Sequence, residues 1–97
     1  MYIKLYYDII DSNSWKACGS KAHNIYIGLL AKSCNGTEPI TYSVREAAKF
    51  ANCSKNTASL AFKELERNGL IKCIEGSDFH TKKVSRKWSI VEVSDID

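Results

Sequence analysis

The chain has 97 residues, 44% of them hydrophobic and 26% charged, with one Pro, five Gly and a formal net charge of +3. That length supports one small core and leaves no room for two, so a single domain over residues 1–97 is expected. The composition excludes fibrous and disordered classes. The opening "MYIKLYYDII" is too short and too charged for a membrane span or a signal peptide, so no membrane partner and a cytoplasmic location are expected.

In chain order, residues 1–13 read as a short strand or an extended arm over the core, because Tyr2, Ile3, Leu5, Tyr7, Ile9 and Ile10 are more apolar than a free tail. Ser12 or Ser14 can cap one helical turn anchored by Trp15. After Gly19-Ser20, apolar residues at 22, 25, 26, 29 and 30 predict an amphipathic first helix from Lys21, ended by Asn35-Gly36. The stretch "EPITY" supports only a bridging strand, since Pro39 cannot donate to a ladder.

The pattern Ser43-Val-Arg-Glu46 is a capping box opening a second helix that buries Val44, Ala47, Ala48 and Ala51. Asn52 stands where a tight turn needs positive φ, and Ser54 can cap a third helix running to about Asn68. That helix buries Ala58, Ala61, Phe62 and Leu65 and stops on Gly69. Its opposite face carries Asn56, Ser59, Leu60, Lys63 and Arg67. Residues 70–93 then read as a hairpin, with strands 70–74 and 84–93 joined by the polar loop "EGSDFHTKK".

Charge is unevenly placed along these elements. Residues 43–88 hold ten Lys/Arg against five Asp/Glu, a formal +5, while the remainder holds four against six. Cys18, Cys34, Cys53 and Cys73 show no C-x-x-C, and His23 and His80 lie at no metal-ligand spacing from them. Free, buried thiols are therefore expected, with no metal site and no cofactor. The sequence has no Gly-rich phosphate loop, no paired carboxylates and no Cys beside a His in any predicted element, so no enzyme is expected. Trp15, Trp88, Tyr26 and Phe62 sit in apolar patterns and read as core anchors.

The run "YSVREAAKFANCSKNTASLAFKELERNGLIK", in which a capped helix, a turn, "S-x-x-T" and "L-x-x-L-x-x-x-G-L-I" follow one another, resembles the winged helix-turn-helix domains of bacterial transcription regulators and of phage and plasmid regulatory or replication proteins. The upstream helix and "NGTEPITYS" extend the resemblance over most of the chain. It implies an α+β, mainly α fold: three helices, a C-terminal β-hairpin wing and a short strand before helix 2, with the helix-turn-helix at 43–68. It also implies double-stranded DNA as partner, bound by a small transcriptional regulator or replication protein.

The resemblance places Lys55, Asn56 and Ser59 in the major groove, where Asn pairs with adenine. Lys63 and Arg67 come near phosphates. Arg45 and Lys49 meet the backbone across the groove, and His80, Lys82, Lys83, Arg86 and Lys87 act from the wing. Exposed cations of this kind are ordinarily just solvated, and "KKVSRK" on a hairpin edge also guards against edge-to-edge pairing.

Two departures stand out, Asn52 where the family commonly has Gly and Leu60 where relatives often have Arg. Leu60 can offer only apolar contact, to a thymine methyl or to a protein. The alternative function is thus a protein-binding winged helix, such as a small phage-encoded inhibitor or adaptor that docks a host protein through Leu60. On DNA, losing Lys63 should lower the salt slope by about one while losing Leu60 matters little. On a protein partner the order reverses. A homodimer matched to a two-fold DNA site, with the apolar N-terminal arm as subunit contact, is also compatible with the sequence.

Overall fold

The computed structural model describes residues 5–34, 36, 38–78 and 83–91. Helices α1 (Tyr7–Ile10), α2 (Asn13–Lys16) and α3 (Ser20–Lys32) come first. They are followed by β1 (Ile40–Thr41), α4 (Val44–Ala51), α5 (Lys55–Arg67), β2 (Ile71–Asp78) and β3 (Lys83–Ile90). The chain is thus α+β and mainly helical, as the sequence implied.

Residues 7–10 are not a strand. They form a helical turn, and Asp11 closes it by donating its N–H to the Tyr7 carbonyl oxygen at 2.9 Å. The turn buries Ile9 and leaves Tyr6, Tyr7 and Ile10 exposed, a helical spacing that the weak alternation concealed. Ser12 caps α2 by accepting the Trp15 N–H at 3.1 Å, and the Trp15 ring then packs flat on His23 with centroids 3.8 Å apart. His23 Nε2 lies 2.8 Å from the Trp15 carbonyl oxygen, which can only accept, so Nε2 carries the proton.

Helix α3 starts one residue earlier than expected, at Ser20, and the left-handed residue beyond its C-terminal end is Cys34 (φ 54°). The expected stop at Asn35-Gly36 is corrected accordingly: Ser33 and Cys34 already turn back onto the Leu29 and Ala31 carbonyls. The thiols are free, but Cys34 is exposed; only Cys18 is fully buried. Burial, then the Glu64 carboxylate, pushes the Cys18 thiol pKa up.

Helices α3, α4 and α5 pack on one another, and the sheet order is β1-β3-β2 with both pairings antiparallel. The bridging strand joins the hairpin as expected, Ile40 opposite Trp88 and Thr41 opposite Lys87. An aromatic row ties the layers together. Phe62 of α5 stacks on Trp88 of β3 (4.8 Å, 11°), and Tyr42 meets Phe62 edge-on at 6.0 Å. All four expected aromatic anchors are buried.

Strand β2 runs further than the apolar pattern indicates, whereas β3 ends at Ile90, so that Val91 of the expected 84–93 strand lies beyond it and residues 92 and 93 lie outside the described residues. Glu75-Gly-Ser-Asp78 belongs to β2, with Gly76 opposite Ser85 and Asp78 opposite Lys83. Backbone pairing propagates past the last apolar residue because the ladder uses N–H and C=O groups that polar residues also possess.

Candidate nucleic-acid interface

The candidate surface is built on α4, its turn and α5. Ser43 accepts the Glu46 N–H at 3.0 Å and caps α4. The Glu46 carboxylate turns back to Ser43, whose backbone N–H and hydroxyl both favour its charged form, Oε1 accepting from the hydroxyl at 3.4 Å, while Oε2 takes the Lys32 ammonium of α3 at 2.6 Å. The Lys32 hydrogen bond holds the Glu46 pKa below its ordinary value.

At the other end of α4, Lys21 of α3 donates to the Ala51 carbonyl oxygen at 3.1 Å. That bond satisfies an otherwise unpaired group at the negative end of the helix dipole. Helix α3 therefore holds α4 at both ends.

Asn52 then takes φ 53°, ψ 55°, the left-handed turn anticipated for it, and the Cys53 N–H bonds the Ala48 carbonyl at 2.9 Å. Ser54 accepts the Thr57 N–H at 3.1 Å and starts α5. The carboxylate of Glu64 on α5 accepts the Gly19 N–H at the N-cap of α3, a third tether between α3 and the two-helix unit.

With Ala58, Ala61, Phe62 and Leu65 buried, α5 turns one stripe outward. At 100° per residue Asn56, Leu60, Lys63 and Arg67 fall within about 60° of one another, and all four are exposed. Ser59 flanks the stripe, half-buried, and Lys55 stands exposed at its N-terminal end. On α4, Arg45 and Lys49 are exposed and four residues apart, hence on one stripe. Among the described residues, Arg45, Lys49, Lys55, Lys63 and Arg67 make no ion pair; the two pairs present are Lys16–Asp11 and Lys32–Glu46.

The residues expected to act from a wing fare differently. Lys87 is exposed on β3. Arg86 and Lys83 occupy register positions directly opposite Glu75 and Asp78. His80 and Lys82 lie outside the described residues.

Sequence reasoning missed two participants. Phe50 is 52% exposed next to Lys49, and its ring edge comes up against Gly28 of α3. Position 50 lies one turn beyond Glu46, the side of α4 that meets α3, a signal legible only once Glu46 is known to face Lys32. Lys21 looks like any exposed helix cation until the tertiary contact is known. A hollow of about 510 Å³ at the C-terminal end of α5 is lined by Glu66, Gly69, Ile71, Lys72, Cys73, Ile74 and Val91.

No family model matches this chain, and no curated protein sequence does. Solved structures do. One, described as the N-terminal domain of a DNA-binding protein, aligns with TM-score 0.62 at 18% identity over 95% of this chain and 75% of its own. Another, described as the structure of a Rep-DNA complex, aligns with TM-score 0.61 at 18% identity and the same coverage. At that identity the likeness is one of fold.

Proposed function

We propose that this chain is a double-stranded DNA-binding domain of winged-helix type, with α5 as the groove-entering helix and the β2–β3 hairpin as wing. The observation that carries the reading is the outward stripe of α5. It sits on the second helix of a helix-turn-helix unit, and its cations and those of α4 make no ion pair among the described residues. Asn56, Ser59 and Lys55 would reach base edges, while Lys63, Arg67, Arg45 and Lys49 would meet phosphates.

The fold neighbours, a DNA-binding protein domain and a Rep–DNA complex, support DNA binding or an association with replication. A small regulator or replication-associated protein of a phage, prophage or plasmid fits both. The reading assigns no catalytic step. On the hairpin, Lys87, exposed on β3, is a further candidate phosphate contact.

The test is fluorescence-anisotropy titration of the protein against random and selected duplexes at low and physiological salt. The reading expects salt-sensitive binding with enrichment of one sequence, and Lys63→Ala should lower the salt slope by about one. Absence of duplex binding at low salt would sink it. A second reading, docking to a protein partner, is favoured by one observation, the 56% exposure of Leu60 at the centre of the stripe.

A further inference from the structure

Leu60 is an unexplained residue within the proposed interface, and the inference below rests on that reading of α5 as the groove-entering helix. It is more than half exposed, on the face of α5 turned away from Ala58, Ala61, Phe62 and Leu65, and among the described residues it is not one of those packed against the core. Its neighbours along the stripe are Asn56 one turn before it and Lys63 one turn after it, both exposed. The apolar group is therefore framed by an amide and an ammonium rather than by a wider apolar patch. That framing suits a base edge better than a protein hot spot, which needs a ring of surrounding contacts to exclude water.

In the major groove each base pair displays a distinct pattern, and one group there is apolar, the C5-methyl of thymine. Adenine displays the N6/N7 pair that an Asn amide matches with two hydrogen bonds. The Cα atoms of Asn56 and Leu60 are separated by about 6 Å along the helix axis. That is close to two base-pair steps of about 3.4 Å.

We propose that Leu60 is a specificity-determining residue that packs on a thymine methyl, about two base pairs from an adenine read by Asn56, so that the target site carries A·T pairs at its centre. Leu60 thereby gains a modest share of DNA selectivity, where the sequence alone left it almost none.

The test removes the methyl and nothing else. A duplex enriched from a random library by the full chain is synthesised once with thymine and once with deoxyuridine throughout, which keeps every hydrogen-bonding group of the base pairs. The wild-type chain should bind the uracil duplex about fourfold more weakly, the equivalent of about 0.8 kcal/mol for one buried methyl.

Leu60→Ala should bind the two duplexes equally while keeping its salt slope, since no phosphate contact is lost. Asn56→Ala should relax the selected adenine and leave the thymine–uracil difference in place. Equal wild-type binding to both duplexes, with sequence selectivity retained, would overturn the assignment of Leu60 and leave the DNA reading standing. So would a thymine preference that survives Leu60→Ala. Failure to bind any duplex would overturn the DNA reading itself, and the methyl contact with it. The wild-type comparison needs no variant, so it is independent of any effect on folding.

Discussion

Tyr26 is wholly buried, and its hydroxyl is a buried polar group with no hydrogen-bond partner among the described residues. Tyr26→Phe removes that oxygen and keeps the ring, whose edge-on contact with Trp15 at 5.6 Å and 79° is unaffected. An orphaned hydroxyl costs about 1–3 kcal/mol relative to an apolar surface. The small void left by one oxygen offsets part of that. A net gain of about 1 kcal/mol is expected, a rise in Tm of about 4–8 °C for a domain of this size. Thermal melts by circular dichroism, with urea titration as a second probe, measure it.

Alkaline pH supplies an independent arm. Burial pushes the Tyr26 pKa up to about 12, whereas the unfolded chain has the ordinary value of about 10. The raised folded pKa means that the folded state holds the proton more tightly, so this stability is complete below about pH 10 and is lost as pH rises toward 12. The Phe variant should lose less stability than wild type over that window. A variant less stable than wild type at neutral pH would refute the reasoning, since it would mean the hydroxyl is hydrogen-bonded in solution through a buried water.

Substitutions at three further positions test the scaffold that presents α5. A Cβ on Gly28 would stand 2.5 Å from the Tyr42 hydroxyl and 2.9 Å from the Phe50 ring. Because Tyr42 is buried against Phe62, the strain of about 1–3 kcal/mol should exceed the helix-propensity gain of about 1 kcal/mol, and Gly28→Ala should lower the urea midpoint; a raised midpoint contradicts this. Asn52→Ala should cost about 1 kcal/mol in urea unfolding by forcing an ordinary side chain into the left-handed region, while Asn52→Gly should be neutral or stabilising. Glu46→Gln should cost less than about 1 kcal/mol, since its pair with Lys32 is half-exposed. With the folded pKa lowered, that contribution is present above the ordinary Glu value of about 4.3 and disappears as pH falls through the folded one, so wild type and variant should converge in acid.

The three long helices, their caps at Ser43 and Ser54 and the left-handed Asn52 were legible because each is written in local chemistry: a hydroxyl three residues before an amide, an amide side chain at a turn, apolar residues three and four apart. The bridging strand was legible from Pro39 and the short run after it. The N-terminal turn was not, because a four-residue helix gives too few positions to tell period two from period 3.6. Strand β2 was cut short because Glu75-Gly-Ser-Asp78 has loop composition, and its pairing is decided by β3. At the interface, exposure of Arg45, Lys49, Lys55, Asn56, Lys63 and Arg67 followed from helical phase alone. What phase could not supply was the fate of the acids, which depends on residues distant in sequence.

That fate bears on how basic the surface is. Of the five acids between residues 43 and 88, Glu46 is engaged by Lys32 and Glu64 by the Gly19 amide, both on the α3 side of the unit. Glu75 and Asp78 stand across the ladder from Arg86 and Lys83. Among the described residues Glu66 makes no ion pair and is exposed, beside Arg67 and at the hollow near the C-terminal end of α5. The cations divide the same way, with Lys21 and Lys32 fixing α4 while Arg45, Lys49, Lys55 and Lys63 are exposed and make no ion pair among the described residues. A net count over the segment dilutes this asymmetry. Within a Debye length of about 8 Å at physiological salt, an approaching polyanion meets the exposed Arg45, Lys49, Lys55 and Lys63, while the charge of Glu46 is already compensated by Lys32. The modest total charge of +3 is therefore compatible with salt-sensitive binding through α4 and α5.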